Sequence, residues 1–224
     1  MSDFWNTYGS QILQALGQHL YLVGVALLIG TVVAVPLGII LTRFPRWSSP
    51  IIAVVSIAQT VPSLVFFALL IPFLGIGVQP ALTVLTLYSL LPILRNTYIG
   101  VRSVDPALID ASRGQGMTSW EILYMVELPL TAPIIVAGIR LSAIYLVSWA
   151  TIASLIGAGG LGDLIFSGID GYDTNLLLAG AIPTALLALI LGFAFGQARR
   201  LVTPRGIRAV MAPKRDLRTE VVTG

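Results

Sequence analysis

The sequence predicts an all-α integral membrane protein with five transmembrane helices, its N-terminus outside and its C-terminus in the cytoplasm. Composition gives the first reason. The 224 residues are 56% hydrophobic and only 10% charged, and a mean hydropathy of +0.92 exceeds what a soluble surface tolerates. Uncharged runs longer than the roughly 18 residues of a membrane span give the second. They cover residues 19–42, 47–94 (long enough for two spans), 141–162 and 176–198. Charge placement gives the third. Residues 1–18, 72–80 and 157–175 contain no Lys or Arg, whereas Arg43, Arg46, Arg102, Arg113 and the cluster from Arg199 to Arg218 all fall on the opposite, cytoplasmic side.

Taken in order, residues 1–18 are expected as a short external segment, without the basic n-region of a cleavable leader. The spans are expected at 19–42, 50–72, 78–99, 130–157 and 176–198, together forming one membrane domain, 19–198. His19, the single histidine, opens the first span and is expected at the interface rather than on a metal. A charge at the bilayer centre costs at least about 2.5–3.5 kcal/mol, so Arg95 and Arg140 are expected to reach the inner interface or face the protein, in structural roles. GFAFG at 192–196 is a small-xxx-small pattern and a candidate contact between copies. The basic tail, 199–224, suits anionic headgroups or serves only to fix topology. A net charge of +3 therefore follows topology, and no nucleic-acid partner is expected. Cysteine is absent, which excludes disulfides and thiolate metal sites, and no metal site is expected.

The loop at 103–129, between the third and fourth spans, is the most informative stretch. Asp105-Pro106 suits a helix start, since Asp caps free N–H groups and Pro loses no bond at the first position. Gly114 and Gly116 offer the left-handed conformation that closes a helix. Thr118-Ser119-Trp120-Glu121 fits a capping box for a second helix, with Pro129 expected to mark its end. Helices this short do not persist alone in water, so neighbouring spans or a docked partner must hold them.

DASRGQGMTSWEILYMVELP at 110–129 resembles the loop signature of binding-protein-dependent ABC importer permeases, E-A-A-x3-G-x9-I-x-L-P. Asp110-Ala111-Ser112 stands at the first three positions, Gly116 at the glycine, and Val126-Glu127-Leu128-Pro129 at the end. The departures are Asp for Glu, Ser for Ala and Val for Ile. The resemblance implies a type I ABC importer permease-like fold. It also implies that the loop forms coupling helices seated in a cleft of an ATPase subunit, with Asp110, Ala111, Ser112, Gly116, Trp120, Leu128 and Pro129 as the candidate coupling residues. Trp120 reads equally as an anchor for that partner or as an interfacial aromatic.

Four further stretches, 59–77, 85–101, 104–117 and 156–169, resemble the permease subunits of osmoprotectant importers, which carry glycine betaine, carnitine, choline and related quaternary amines. This likeness implies import by alternating access in a prokaryotic cytoplasmic (inner) membrane. The implied partners are two ATPase subunits, a second identical or similar permease subunit and an external substrate-binding protein. ATP and Mg belong to the partner ATPase, because this chain has no G-x-x-x-x-G-K-[ST] to hold nucleotide phosphates, and no cofactor of its own is expected.

A methylated ammonium is recognised by aromatic faces. Tyr88, Tyr98, Tyr145 and Trp149 are candidates to line a pathway, although each also suits packing or an interface. Thr60, Ser63, Ser89, Ser148, Thr151 and Ser154 are further candidates, with backbone hydrogen bonding as the competing role. Outside, the glycine-rich turn at 157–162 and Asp163, Asp170 and Asp173 form a candidate docking surface, an outer gate or an ordinary solvated loop. The alternatives are an importer of another small solute, such as an amino acid, or a non-transporting scaffold. An intramembrane enzyme is disfavoured, since no H-E-x-x-H, no G-x-S-x-G and no carboxylate pair lies in the spans.

Overall fold

A computed structural model describes residues 2–204 of the chain, so positions 205–224 of the expected tail lie outside the described residues. Helix α1 runs unbroken from Ser2 to Arg43. The first 18 residues therefore extend the first helix outward instead of forming a separate segment, and Ile12 and Ala15 pack there against Leu161, Leu164 and Ala179. His19 consequently lies about 25 Å along the helix at 1.5 Å per residue, rather than at its mouth. It is fully buried, with Nε2 3.1 Å from the Val147 carbonyl oxygen, which corrects the interfacial expectation.

The expected second span is broken. Helices α2 (Pro45–Thr60) and α3 (Ser63–Leu74) meet at 95°. Pro62 has no N–H to continue the ladder and drives Val61 out of the helical region, so Val61 is extended at φ −70° and ψ 127°. The carbonyl this frees is taken by Tyr88, whose hydroxyl donates to the Val61 oxygen. Gln59 Nε2 in turn donates to the Tyr88 carbonyl oxygen at 2.6 Å. Hydropathy alone reads a straight crossing here, because no charged residue interrupts the run from Trp47 to Leu94.

Helix α4 (Val78–Arg102) is the central element, packed by α1 on one side and α7 (Leu128–Ala153) on another. Small residues make those approaches close. A Cβ at Gly38 would lie 2.8 Å from Thr97 Cβ, and one at Gly138 would lie 2.8 Å from the Pro92 carbonyl oxygen. The main core, built from Leu22, Ala26, Phe67, Leu85, Leu146 and Ala150 among others, fills the space between α1, α3, α4 and α7. Helix α9 (Thr174–Val202) closes the bundle against α7. The Gly192 notch is occupied inside the chain: a Cβ there would lie 3.2 Å from Ile144 Cδ1, and one at Gly196 would lie 3.7 Å from Arg140 Cζ. The small-xxx-small face is therefore spent on α7, not held free for a second copy, and it gives the Arg140 side chain a groove along α9. Among the described residues four helices are long and apolar enough to cross a membrane, and the bent α2–α3 pair makes a fifth crossing when counted as one span.

Candidate functional site

The inner loop folds into one short helix and the first turns of a second, as its capping residues dictate. Asp105 Oδ1 accepts from the Ala107 N–H at 2.9 Å and opens α5 (Pro106–Gly114). Gly116 takes φ +85° and turns the chain, whereas Gly114 remains helical and contributes no left-handed turn. Thr118 and Glu121 then form the reciprocal capping box of α6 (Ser119–Glu121). Ser112 is buried and bonds the Leu108 carbonyl oxygen at 2.8 Å, while Asp110 and Ala111 face outward.

Pro129 does not end this second helix. Helix α6 widens into a π-helical turn, Ile122–Glu127, and passes directly into α7, so that Ser119–Ile156 is one helical run. A proline ring collides with the carbonyl four residues back in an α-helix. The turn before it is instead wound with i→i+5 bonds, the Leu128 N–H reaching the Leu123 oxygen, and the ring fits without breaking the rod.

The same turn carries a residue that the motif left unassigned. Glu127 is buried, and its carboxylate is held by both arms of the Arg43 guanidinium, Nη1 donating to Oε1 at 3.0 Å and Nη2 to Oε2. The inner end of α1 is thereby tied to the base of α7 by a planar, two-pronged pair. A lone acidic residue in the apolar ILYMVELP was the available signal. On the outward side of the loop Trp120 stacks on Tyr124 at 5.9 Å and forms an exposed apolar row with it and Met125, while Leu108 on α5 is exposed as well. Leu128 and Pro129 sit behind it, at the root of α7.

Within the membrane, three of the four candidate aromatics come together. Tyr88 and Trp149 have ring centroids 4.6 Å apart and Tyr145 lies 5.5 Å from Trp149, with Phe66 joining from α3. Tyr98 is elsewhere, donating to Ser48 Oγ near the inner end. The hydroxyls of Thr60, Thr151 and Ser154 bond their own helix backbone, whereas Ser89 also approaches the Ala26 carbonyl of α1 at 3.4 Å. Ser63 opens α3 at the bend, and Ser148 is exposed on α7.

The outer segment is also more ordered than a loop. Gly157, Gly159 and Gly160 have positive φ, and the Gly160 N–H donates to Gln18 Oε1 at 2.9 Å. Helix α8 (Leu161–Asp170) follows, with Asp163 exposed in its first turn and Asp170 at its end. Asp173 caps α9, accepting from the Asn175 and Leu176 N–H groups and from the Tyr8 hydroxyl at 2.9 Å. The Leu176 N–H foremost, then the Tyr8 hydroxyl, hold its carboxyl below the usual carboxylate range.

A helical membrane bundle with a bent pair of helices on its arginine-bearing side, and an exposed apolar row there, has the build of a transmembrane subunit that is worked by another protein. Residues 34–208 match the family described as binding-protein-dependent transport system inner membrane component. The chain belongs to that family and is a multi-pass permease subunit of an ABC transporter. It is 52% identical over 92% of its length to the carnitine transport permease protein OpuCB of Listeria monocytogenes, covering 94% of that chain. It is 47% identical over 94% of its length to the glycine betaine/carnitine/choline transport system permease protein OpuCB of Bacillus subtilis (strain 168), covering 97% of it. Among solved structures it resembles an inward-facing MetNI methionine ABC transporter chain, with a TM-score of 0.79 at 25% identity over 86% of this chain and 96% of that one.

Proposed function

We propose that this permease forms the pathway of an ATP-driven importer of quaternary-amine osmoprotectants of the glycine betaine, carnitine and choline class. The observation that carries the substrate class is the likeness, over nine-tenths of the chain, to permeases named for carnitine and for glycine betaine, carnitine and choline. The methionine transporter is similar at only half that identity, and that likeness supports the fold rather than the solute. A partner binds ATP and Mg and hydrolyses the ATP. The ATPase seats on the exposed row of Trp120, Tyr124 and Met125 and on the exposed residues Leu108, Asp110 and Ala111 of α5.

Force enters at the Gly116 bend, and the Arg43–Glu127 pair moves α1 with α7. Two ATPase subunits and a second permease chain complete the machine, because five crossings are few for a central gated path. The solute is delivered from outside by a binding protein on the surface carrying Asp163, Asp170 and Asp173. Tyr145 and Trp149, backed by the buried Tyr88, form the aromatic stage of the path.

The test is uptake of labelled glycine betaine, carnitine, choline and methionine into vesicles holding the purified complex. Import of at least one quaternary amine, dependent on ATP and on the binding protein, is expected. Import of methionine alone, or of none of the four, overturns the proposal.

A further inference from the structure

A second polar site lies on the inner half of the bundle, between α2 and α4. Tyr88 and Arg95 are seven residues apart on α4, which places them on one face about 10 Å apart along the axis. Next to Arg95, α2 presents Ser49, Ala53 and Ser56, and the small, hydroxylated stripe continues to the exposed Thr60 at i, i+4, i+7 and i+11. Beside it runs an apolar stripe, Pro50, Val54 and Ile57, and both stripes are largely exposed. The two stripes divide α2 into a side suited to lipid and a side suited to water or solute.

Ser48, Ser49, Ser56, Arg95 and Tyr98 line a pocket of about 390 Å³ on the hydroxylated side. Most of its hydroxyl donors are already used: Ser48 bonds the Pro45 oxygen, Ser56 the Ile52 oxygen, and Tyr98 the Ser48 hydroxyl. Arg95 and Ser49 are different. Among the described residues neither side chain has a hydrogen bond, and Arg95 has no ion pair. Both are exposed at the pocket surface, where a guanidinium with its donors free of protein acceptors, beside one such hydroxyl, can donate two parallel N–H bonds to a carboxylate. Arg95 stands seven residues, about 10 Å, before the inner end of α4, within reach of the cytoplasmic interface and of an aqueous path opening there.

We infer that the Arg95 pocket binds the carboxylate of a zwitterionic solute on its way to the cytoplasm, after the ammonium end has passed the Tyr88–Trp149 aromatics. The inference rests on the proposed osmoprotectant function and divides its substrate class by chemistry. Glycine betaine and carnitine carry a carboxylate and engage Arg95; choline ends in a hydroxyl and does not.

The experiment uses the full complex with Arg95→Gln and Arg95→Lys variants, and compares uptake of the three labelled solutes. In parallel, retention of labelled carnitine and choline is measured on the nucleotide-free complex without binding protein. Arg95→Gln is expected to lower carnitine and glycine betaine uptake roughly tenfold, the size of one charge-assisted hydrogen bond, with choline changed less than about twofold. Arg95→Lys is expected to recover part of the loss, and wild type to retain carnitine over choline where Arg95→Gln does not. Equal losses for every transported solute in an assembled complex, which a topology anchor or a lipid-phosphate contact predicts, overturn the inference. Equal carnitine retention by wild type and Arg95→Gln overturns it as well. A wild-type complex that imports none of the three quaternary amines refutes the proposed function instead.

Discussion

Arg43 and Glu127, 84 positions apart, form a two-pronged ion pair that fastens the inner end of α1 to the π turn at the root of α7. The carboxylate is almost fully covered while the guanidinium is about half exposed, with side-chain exposures of 5% and 46%. The two ends of the pair are therefore not equivalent. Arg43→Gln strands a buried charge and is expected to destabilise the purified protein by about 2 kcal/mol, below the full cost of breaking a buried pair because one partner is solvated. Glu127→Gln leaves a neutral amide in the same place and is expected to cost less. Thermal unfolding of both variants and of the double variant checks this, and a double variant no better than Arg43→Gln contradicts it.

At the bend, Gly116 and Gly114 separate strain from space. A Cβ meets nothing within 4 Å at either position, but only Gly116 has positive φ. Gly116→Ala is expected to cost about 1–2 kcal/mol through the left-handed backbone alone and to weaken ATP-coupled uptake while membrane insertion persists. Gly114→Ala, in a helical position, is expected to be neutral or slightly stabilising. Uptake assays on the two variants, normalised to inserted protein, give the comparison.

Helix contacts offer a similar pair. A Cβ on Gly138 would press on the Pro92 oxygen and Asn96 Cβ, at 2.8 and 2.7 Å, whereas one on Gly24 meets nothing within 4 Å. Gly138→Ala is expected to lower stability by about 1–3 kcal/mol as an overpacked contact against backbone, and Gly24→Ala to be tolerated. Detergent-resistant yield and melting temperature read both.

Asp173 sets a pH dependence at the outer end of α9. Its folded carboxyl binds a proton less readily than the unfolded one, chiefly because of the Leu176 N–H. Its contribution is thus complete above the unfolded value of roughly 3.9 and is lost as pH falls through the lower folded value. Asp173→Asn, which caps without titrating, is expected to flatten the acid limb of a melting-temperature profile. A parallel profile for the two proteins would remove Asp173 from the account.

Local chemistry was legible in the sequence and distant pairing was not. The Asp105 cap and the Thr118–Glu121 box depend on residues two or three apart, so the letters themselves specify the bond. Their spacing placed both inner helices. Pro129 misled because a proline reads as a stop until the preceding turn is known to be π-wound. Val61-Pro62 carried its break in plain letters, yet the surrounding hydropathy reads as one crossing. Glu127 and His19 looked like loop and interface residues because their partners, Arg43 and Val147, are brought to them only by tertiary packing.

The unbroken run from Ser119 to Ile156 spans 38 residues, or roughly 57 Å as a helix. Such a rod works as a lever: pivoting it by about 10° at the inner tip swings the far tip by roughly 10 Å over that length. Inner and outer faces then share one stiff beam, so that a small displacement imposed at the loop end would be enlarged at the opposite end.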